Sequence, residues 1–309
     1  MDLNQIGEFG LIDSIKATQR IPDGILGIGD DCAVIPRGDG FDSLVTTDML
    51  VEGHHFLLSD VSPYDLGWKS VAVNLSDIAA MGGNPIGTFL SIGLPKGLDS
   101  AWTDEFIRGY NEASGGCPLL GGDTTSSDVL CINVAVLGEC PHGKALLRSG
   151  AKIGDTIYVS GPLGDSGAGL QVILQNLERD SIASSLVHRH YHPIARLDIG
   201  RQLIDTEGVN SAMDISDGIA SDLLHICEAS GVGAKVDVKS IPLSEGLISI
   251  CDRYGWDAYK MAVSSGEDYE LLFTSSKPIA GYYPIGRITA GSGIKWLGSS
   301  EEFSGFRHF

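Results

Sequence analysis

The stretch DLGWKSVAVNLSDIAAM, Asp65–Met81, carries Val71, Leu75 and Ile78 on one apolar stripe, and this spacing predicts an amphipathic helix. Asn74 and Asp77 flank the stripe one turn apart and can reach one point. A carboxylate beside a buried stripe costs free energy unless something cationic meets it, so Asp77 stands out among the acids. Outward from this helix, further helices are predicted at Ala101–Ser114, Asp165–Asn176, Pro193–Thr206 and from near Ser216, where Ile219, Leu223 and Ile226 form the stripe. Short runs rich in Val, Ile and Leu lie between them: Ser43–Thr47, Gly87–Leu94, Leu130–Leu137, Thr156–Ser160, Ala234–Val238 and Glu270–Thr274. The mixture predicts an α/β fold, or α+β layers. Turn residues near Pro141–Gly154 place a boundary there, dividing the chain into domains 1–145 and 146–309.

The 309 residues, 43% of them apolar and 20% charged, suffice for a sizeable core and for two domains. A balance of 21 Lys and Arg against 40 Asp and Glu gives a net charge of −19, which opposes binding to nucleic acid or anionic lipid unless a cation intervenes. The opening MDLNQIGEFGLIDSIK lacks a basic segment followed by an apolar one, and no window reaches the roughly 18 apolar residues of a membrane span. The chain reads as a soluble cytoplasmic protein. Its six cysteines are scattered without a C-x-x-C pair, as expected of buried thiols rather than a disulfide framework or a zinc site.

Acids embedded in Gly, Ser and Thr recur as GIGDD (Gly27–Asp31), TTD (Thr46–Asp48), NLSD (Asn74–Asp77), GGDTT (Gly121–Thr125), DISDG (Asp214–Gly218) and GEDYE (Gly266–Glu270). Mg²⁺ takes such hard oxygen ligands and commonly bridges a few carboxylates to phosphates. Taken singly, Asp217 could cap a helix, Asp48 could end a strand, and Asp30–Asp31 could mark a loop. GECPHGKA (Gly138–Ala145) puts Ala145 where a phosphate-binding loop needs a hydroxyl, and no helical period follows it, so a turn is expected. GPLGDSGAG (Gly161–Gly169) reads as a helix start. No nucleophile elbow or zinc helix is present. His188, His190 and His192, in a run with Arg189 and Arg196, read as a solvated face. His54 and His55 differ by following the TTD island directly.

In order, GIGDDCAVI, TTDMLVEGHHF, GWKSVAVNLSDIAAMGGNP, GGDTT, LLRSGAKIGD, DISDGIASDL and SGEDYELLFT resemble the thiamine-monophosphate kinases of the aminoimidazole-ribonucleotide-synthetase-like superfamily. The resemblance spans nearly the whole chain, including GEFGLIDSI at the start and GFRHF at the end. It implies a two-domain α/β architecture, usually a homodimer paired through N-terminal strands. The N-terminal domain would bind ATP and Mg²⁺, and the C-terminal domain would complete the site. ATP would be the co-substrate, thiamine monophosphate the acceptor, and several Mg²⁺ ions the cofactors.

Residue by residue, the resemblance implies Asp30, Thr46, Thr47, Asp48, Asp77, Asp123 and Asp214 as metal ligands, with Asp217 for a further ion. Gly122, Asp123, Arg148 and Ser216 fall at ATP positions, and His55, Glu267 and Phe306 at thiamine positions. Asp48, Asp214 and Arg148 are the expected catalytic set. Two departures stand out: Ser126 where many members have Arg, and Arg307 where the family tail commonly has Asp. A phosphate-monoester acceptor has a second pKa around 6, so no general base is required. Competing readings are another ATP-using enzyme of the superfamily, of the ribonucleotide or selenophosphate synthetase type, and a non-catalytic metal-dependent nucleotide-binding protein. VEGHHF and GEDYELLF favour the thiamine branch.

Overall fold

The computed structural model describes residues 3–299 and 303–306. In chain order the first half comprises α1 (Leu3–Thr18), β1 (Ala33–Pro36), β2 (Phe41–Val51), α2 (Pro63–Ala80), β3 (Asn84–Leu94), α3 (Ser100–Ala113), β4 (Leu119–Ser126) and β5 (Cys131–Pro141). The second half runs β6 (Thr156–Val159), α4 (Asp165–Leu174), α5 (Ser181–Tyr191), α6 (Leu197–Ile204), β7 (Val209–Asp214) and α7 (Ile219–Ser230). It continues with β8 (Gly233–Asp237), α8 (Glu245–Tyr254), α9 (Ala258–Ser264), β9 (Leu271–Ser275), β10 (Tyr283–Thr289) and β11 (Gly293–Leu297).

Two sheets result. The first has the order β1-β2-β5-β3-β4, antiparallel except for the parallel pairing of β4 on β3. The second has the order β11-β8-β10-β6-β9-β7, antiparallel except for β11 on β8.

The predicted helix over Asp65–Met81 is α2. Ser62 caps it, its Oγ accepting the Asp65 N–H at 3.0 Å, and Pro63 supplies a first residue whose missing N–H is not needed. Val71, Leu75 and Ile78 are buried as the stripe requires. A Cβ on Gly67 would stand 1.9 Å from the Phe106 carbonyl oxygen, and one on Gly109 would stand 1.9 Å from that of Tyr64, so α2 and α3 pack backbone to backbone. α2 also touches β2 and β5 of the first sheet and β7 of the second, which places it between the two.

Several elements differ from expectation. The helix expected over Pro193–Thr206 is confined to Leu197–Ile204, and α5 precedes it. GGDTT, for which the sequence predicts no element, lies within β4, an edge strand exposed throughout. A strand at the sheet edge that is exposed on both faces needs neither alternation nor apolar residues, so no periodicity betrays it. The expected turn is present after β5, where the Lys144 N–H bonds to the Pro141 carbonyl at 3.0 Å.

The histidine run is corrected most clearly. It lies on α5 and at its C-terminal end, and His190 is 2% exposed. His192 stacks on Trp68 at 4.7 Å between ring centroids and pairs with Asp65. Arg189 and Arg196 both bind the fully buried Glu270, Arg189 Nη2 at 2.7 Å from Oε1 and Arg196 Nε at 2.9 Å from Oε2. Partners more than seventy positions away turn His190, His192, Arg189 and Arg196 into packed structure, while His188 stays on the exposed face as expected. Near the tail, Phe303 packs edge-on against Trp296, whereas Arg307 lies outside the described residues.

Candidate active site

Alternate residues of a strand face one side, so β2 sends Thr46 and Asp48 inward with Leu44 and Leu50. α2 meets that face. Thr46 Oγ1 donates a short hydrogen bond to Asp77, and Asn74 Oδ1 accepts the Asp48 N–H at 2.8 Å, so both flanking residues of the helix stripe turn onto β2. One turn of α2 also sends Ser76 to the second sheet, its Oγ donating to Asp214 Oδ2 at 2.5 Å from the end of β7. Asp31 arrives from the segment before β1. One oxygen each from Asp31, Asp77 and Asp214 lies within 4.8 Å of the others.

Arg148, between the sheets in sequence, is the cation at this cluster. Its Nε and Nη2 donate to Asp31 Oδ1 at 3.0 and 2.5 Å, and its backbone N–H faces both oxygens of Asp30 at 3.2 Å. Burial pushes the Asp214 carboxyl up to about 7, with the charge of Asp31 adding to it. The same two causes bring Asp30 to about 7, and burial with Asp31 and Asp217 brings Asp48 to about 6. Asp77 is driven up by burial, then by Asp48 and Asp214. Burial acts to lower Arg148, but Asp31 and Asp30 outweigh it and keep the guanidinium charged.

These acids repel one another unless a cation joins them. Asp31 Oδ2 is buried with no hydrogen-bond partner among the described residues, so the cluster holds an oxygen left over for a ligand. A set of hard carboxylate oxygens with a spare one fits Mg²⁺.

The remaining sequence-derived residues divide into two groups. Thr47 and Asp123 stand on the opposite face of the first sheet: Asn133 Nδ2 donates to Thr47 Oγ1 at 2.9 Å, and Asp123 lines a surface hollow with Met49, Ser91 and Asn133. Gly122, beside Asp123, has φ 155°, and a Cβ there would stand 1.7 Å from the Leu90 carbonyl oxygen, so β4 can approach β3 only with glycine.

The second group joins DISDG to GEDYE. The Glu267 N–H donates to the Ser216 carbonyl at 2.7 Å, and a Cβ on Gly266 would stand 2.1 Å from that same oxygen. The Phe306 N–H donates to the Asp217 carbonyl at 2.9 Å, docking the tail beside the cluster. His55 Nδ1 accepts the Val51 N–H at 3.0 Å, which leaves Nε2 as the donor. Burial raises Glu267, but Lys69, His190 and, more weakly, His55 outweigh it and hold the carboxyl below its ordinary value.

Three participants were not singled out from sequence. Asp31 is adjacent to Asp30 in GIGDD, and only the chain path decides which of the two joins the cluster. Asp222, one helical turn beyond DISDG, is buried with an unpartnered Oδ2 among the described residues. Lys69 is wholly buried on α2 and binds Glu267.

The family of the AIR synthase related protein N-terminal domain matches residues 29–140, and that of the C-terminal domain matches residues 152–295. Fold and site together define a member of the AIR synthase related proteins. The chain is 38% identical over 316 aligned positions to the thiamine-monophosphate kinase of Aquifex aeolicus, covering 100% of each. It is 42% identical over 280 positions to that of Escherichia coli strain K12, covering 87% of this chain and 82% of that one. A solved structure, AaThiL complexed with AMPPCP and TMP, matches with a TM-score of 0.91 and 37% identity, covering 100% of this chain and 99% of that one. The chain belongs to the thiamine-monophosphate kinase family.

Proposed function

We propose that this chain transfers the γ-phosphoryl group of ATP to thiamine monophosphate, forming thiamine diphosphate by direct in-line transfer. The observation that carries the reading is the meeting of Asp31, Asp77 and Asp214 beside Arg148, in a chain alike over its full length to thiamine-monophosphate kinases. Two phosphate chains repel: unit charges about 4 Å apart cost about 4 kcal/mol at an effective dielectric near 20. Mg²⁺, as several ions, supplies the neutralising charge when bound.

Asp30, Thr46, Asp48, Asp77, Asp214 and Asp217 are the proposed metal ligands of the cluster, joined by Asp31; Thr47 and Asp123, on the opposite face of the first sheet, are proposed for a separate ion. Arg148 offers a planar fork suited to two phosphate oxygens and, with Ser216, is proposed for ATP; Gly122 and Asp123, on the exposed edge strand β4, are proposed ATP contacts apart from that fork. His55, Glu267 and Phe306 hold the acceptor, Glu267 and Phe306 being bonded to the DISDG segment that carries Asp214. Asp48, Asp214 and Arg148 are the catalytic set. No residue serves as general base, because the acceptor oxygen is already ionised near neutral pH.

Residues 1–145 and 146–309 are the proposed domains, each containing one of the two sheets. A homodimer is supported by the outer face of the first sheet, where Val45, Met49 and Phe89 are 38%, 55% and 41% exposed. Among the described residues no helix is long and apolar enough to cross a membrane, and the proposed setting is the cytoplasm. No nucleic acid or membrane takes part.

The test is product formation. With ATP, Mg²⁺ and thiamine monophosphate, ADP and thiamine diphosphate are expected in equal amounts, and chelation should abolish both. ADP released equally fast without the acceptor, or no thiamine diphosphate, would overturn the proposal.

A further inference from the structure

Lys69 sits on the N-terminal half of α2, and none of its side chain reaches solvent. Its ammonium lies 2.7 Å from Glu267 Oε1 and 3.5 Å from His190 Nε2. An ammonium has no lone pair, so His190 Nε2 must accept, and the proton of a neutral ring then resides on Nδ1. Nδ1 lies 3.0 Å from Ser166 Oγ and 3.3 Å from Glu267 Oε2. Each oxygen of Glu267 therefore faces its own partner, one from α2 and one from α5. A buried ammonium is costly unless matched, and Glu267 is the carboxylate at its ion-pairing distance.

The backbone adds a second constraint. Glu267 and Tyr269 have φ of 63° and 51°, a left-handed conformation that side-chain-bearing residues rarely adopt and that surrounding structure must enforce. The Glu267 side chain nevertheless keeps 26% exposure, so it is held from behind and open in front. The same helix that holds Glu267 through Lys69 carries Asp77, eight residues on, about 12 Å along its axis at 1.5 Å per residue. One rigid element thus gauges the distance between Glu267 and the carboxylate cluster.

We infer that Lys69 and His190 are positioning residues that clamp Glu267 from two sides, fixing the acceptor subsite relative to the carboxylate cluster through α2. Neither is a catalytic residue, because Lys69 is sealed from solvent and His190 lies behind Glu267. The inference rests on Glu267 belonging to the acceptor site, as proposed above. Alignment of two reactants is sensitive to displacements of about 1 Å, so a loosened Glu267 should weaken use of one substrate and spare the other.

The test compares KM values in the full-length protein. Turnover of thiamine monophosphate by the unaltered enzyme reports on the proposed function, and the variants report on the clamp. Lys69→Met should raise KM for thiamine monophosphate about 10-fold and leave KM for ATP within about 2-fold. The decisive measurement is the double variant Lys69→Met/Glu267→Gln, which should be no worse than Glu267→Gln alone, because Lys69 acts through that carboxylate. Effects that multiply, or equal rises for both substrates, would overturn the inference. Should Lys69→Met fail to fold, His190→Gln decides by the same criterion: a rise confined to thiamine monophosphate and absent in the Glu267→Gln background supports the clamp, and any other pattern refutes it.

Discussion

Arg148 donates from Nε to Asp31 Oδ1 at 3.0 Å across 117 positions of sequence, while its backbone N–H turns to the carboxylate of Asp30. One residue thereby sorts two adjacent acids, taking Asp31 with its side chain and Asp30 with its main chain. The guanidinium is also the fixed positive charge against which the cluster is assembled. Burying such a pair yields little net stability, but removing one partner strands the other.

Arg148→Ala should therefore fail twice. Steady-state kinetics should show kcat/KM reduced at least about 100-fold, since a phosphate contact is lost. Thermal melts without metal should show a loss of about 3–5 kcal/mol, the cost of stranding Asp31. Arg148→Lys should restore part of the activity, because an ammonium cannot bind two oxygens as a fork does. Lys144→Ala, on the exposed turn after β5, should change neither measurement.

Asp214→Asn and Asp77→Asn separate stability from activity. Each removes a carboxyl that the cluster disfavours once ionised, so the metal-free melting temperature should rise at pH above about 7, where Asp214 ionises, by about 2–4 °C for each kcal/mol gained. Turnover should nevertheless be lost. The unaltered protein should gain stability with increasing Mg²⁺ as mass action requires, and the variants should respond far less. Near-normal turnover in either variant would remove these acids from the proposed ligand set.

The pH dependence follows from the raised carboxyls. Asp30 and Asp214 at about 7 and Asp48 at about 6 bind protons in the folded state that an unfolded chain has already released. Folding is therefore favoured below the unfolded carboxylate range near 4, and this contribution is lost as pH rises through 7. Melts of metal-free protein between pH 5 and 8 should show these groups lowering stability with rising pH. Mg²⁺ binding requires the ionised forms, so Mg²⁺ affinity should rise over the same interval with proton release, measurable by calorimetry in two buffers.

Glu270 should behave unlike Glu267, although only three positions separate them. Its oxygens accept from Ser160, Arg189 and Arg196 within the fold. Glu270→Ala should destabilise by about 3–5 kcal/mol by leaving two arginines unmatched. At a temperature where the variant is folded, its KM for thiamine monophosphate should remain near normal. A change in KM without a change in melting temperature would contradict this assignment.

Much of the architecture was legible locally. The α2 stripe, its flanking Asn74 and Asp77, and the short apolar strands depend on periodicity and capping, which neighbouring residues settle among themselves. β4 was not legible, because its eight residues are exposed throughout and pair along one edge. Lys69 stands four residues after Asp65, which local helix rules would make an exposed pair. In the fold Asp65 turns to His192 and Lys69 to Glu267.

The sequence by itself determined the chemistry available: six islands of acid among small residues, too many for caps and turns alone. Only the tertiary structure decided which acids meet. Strand alternation separates Thr46 and Asp48 from Thr47, but only the packing of α2 makes the former face the cluster and leaves Thr47 with Asp123 on the other side. Asp31 rather than Asp30 points at Asp77 and Asp214 because of how the chain enters β1 against Arg148. Coulomb energies and hydrogen bonds depend on separation in space. Partners more than a hundred positions apart have no separation until the two sheets close on α2.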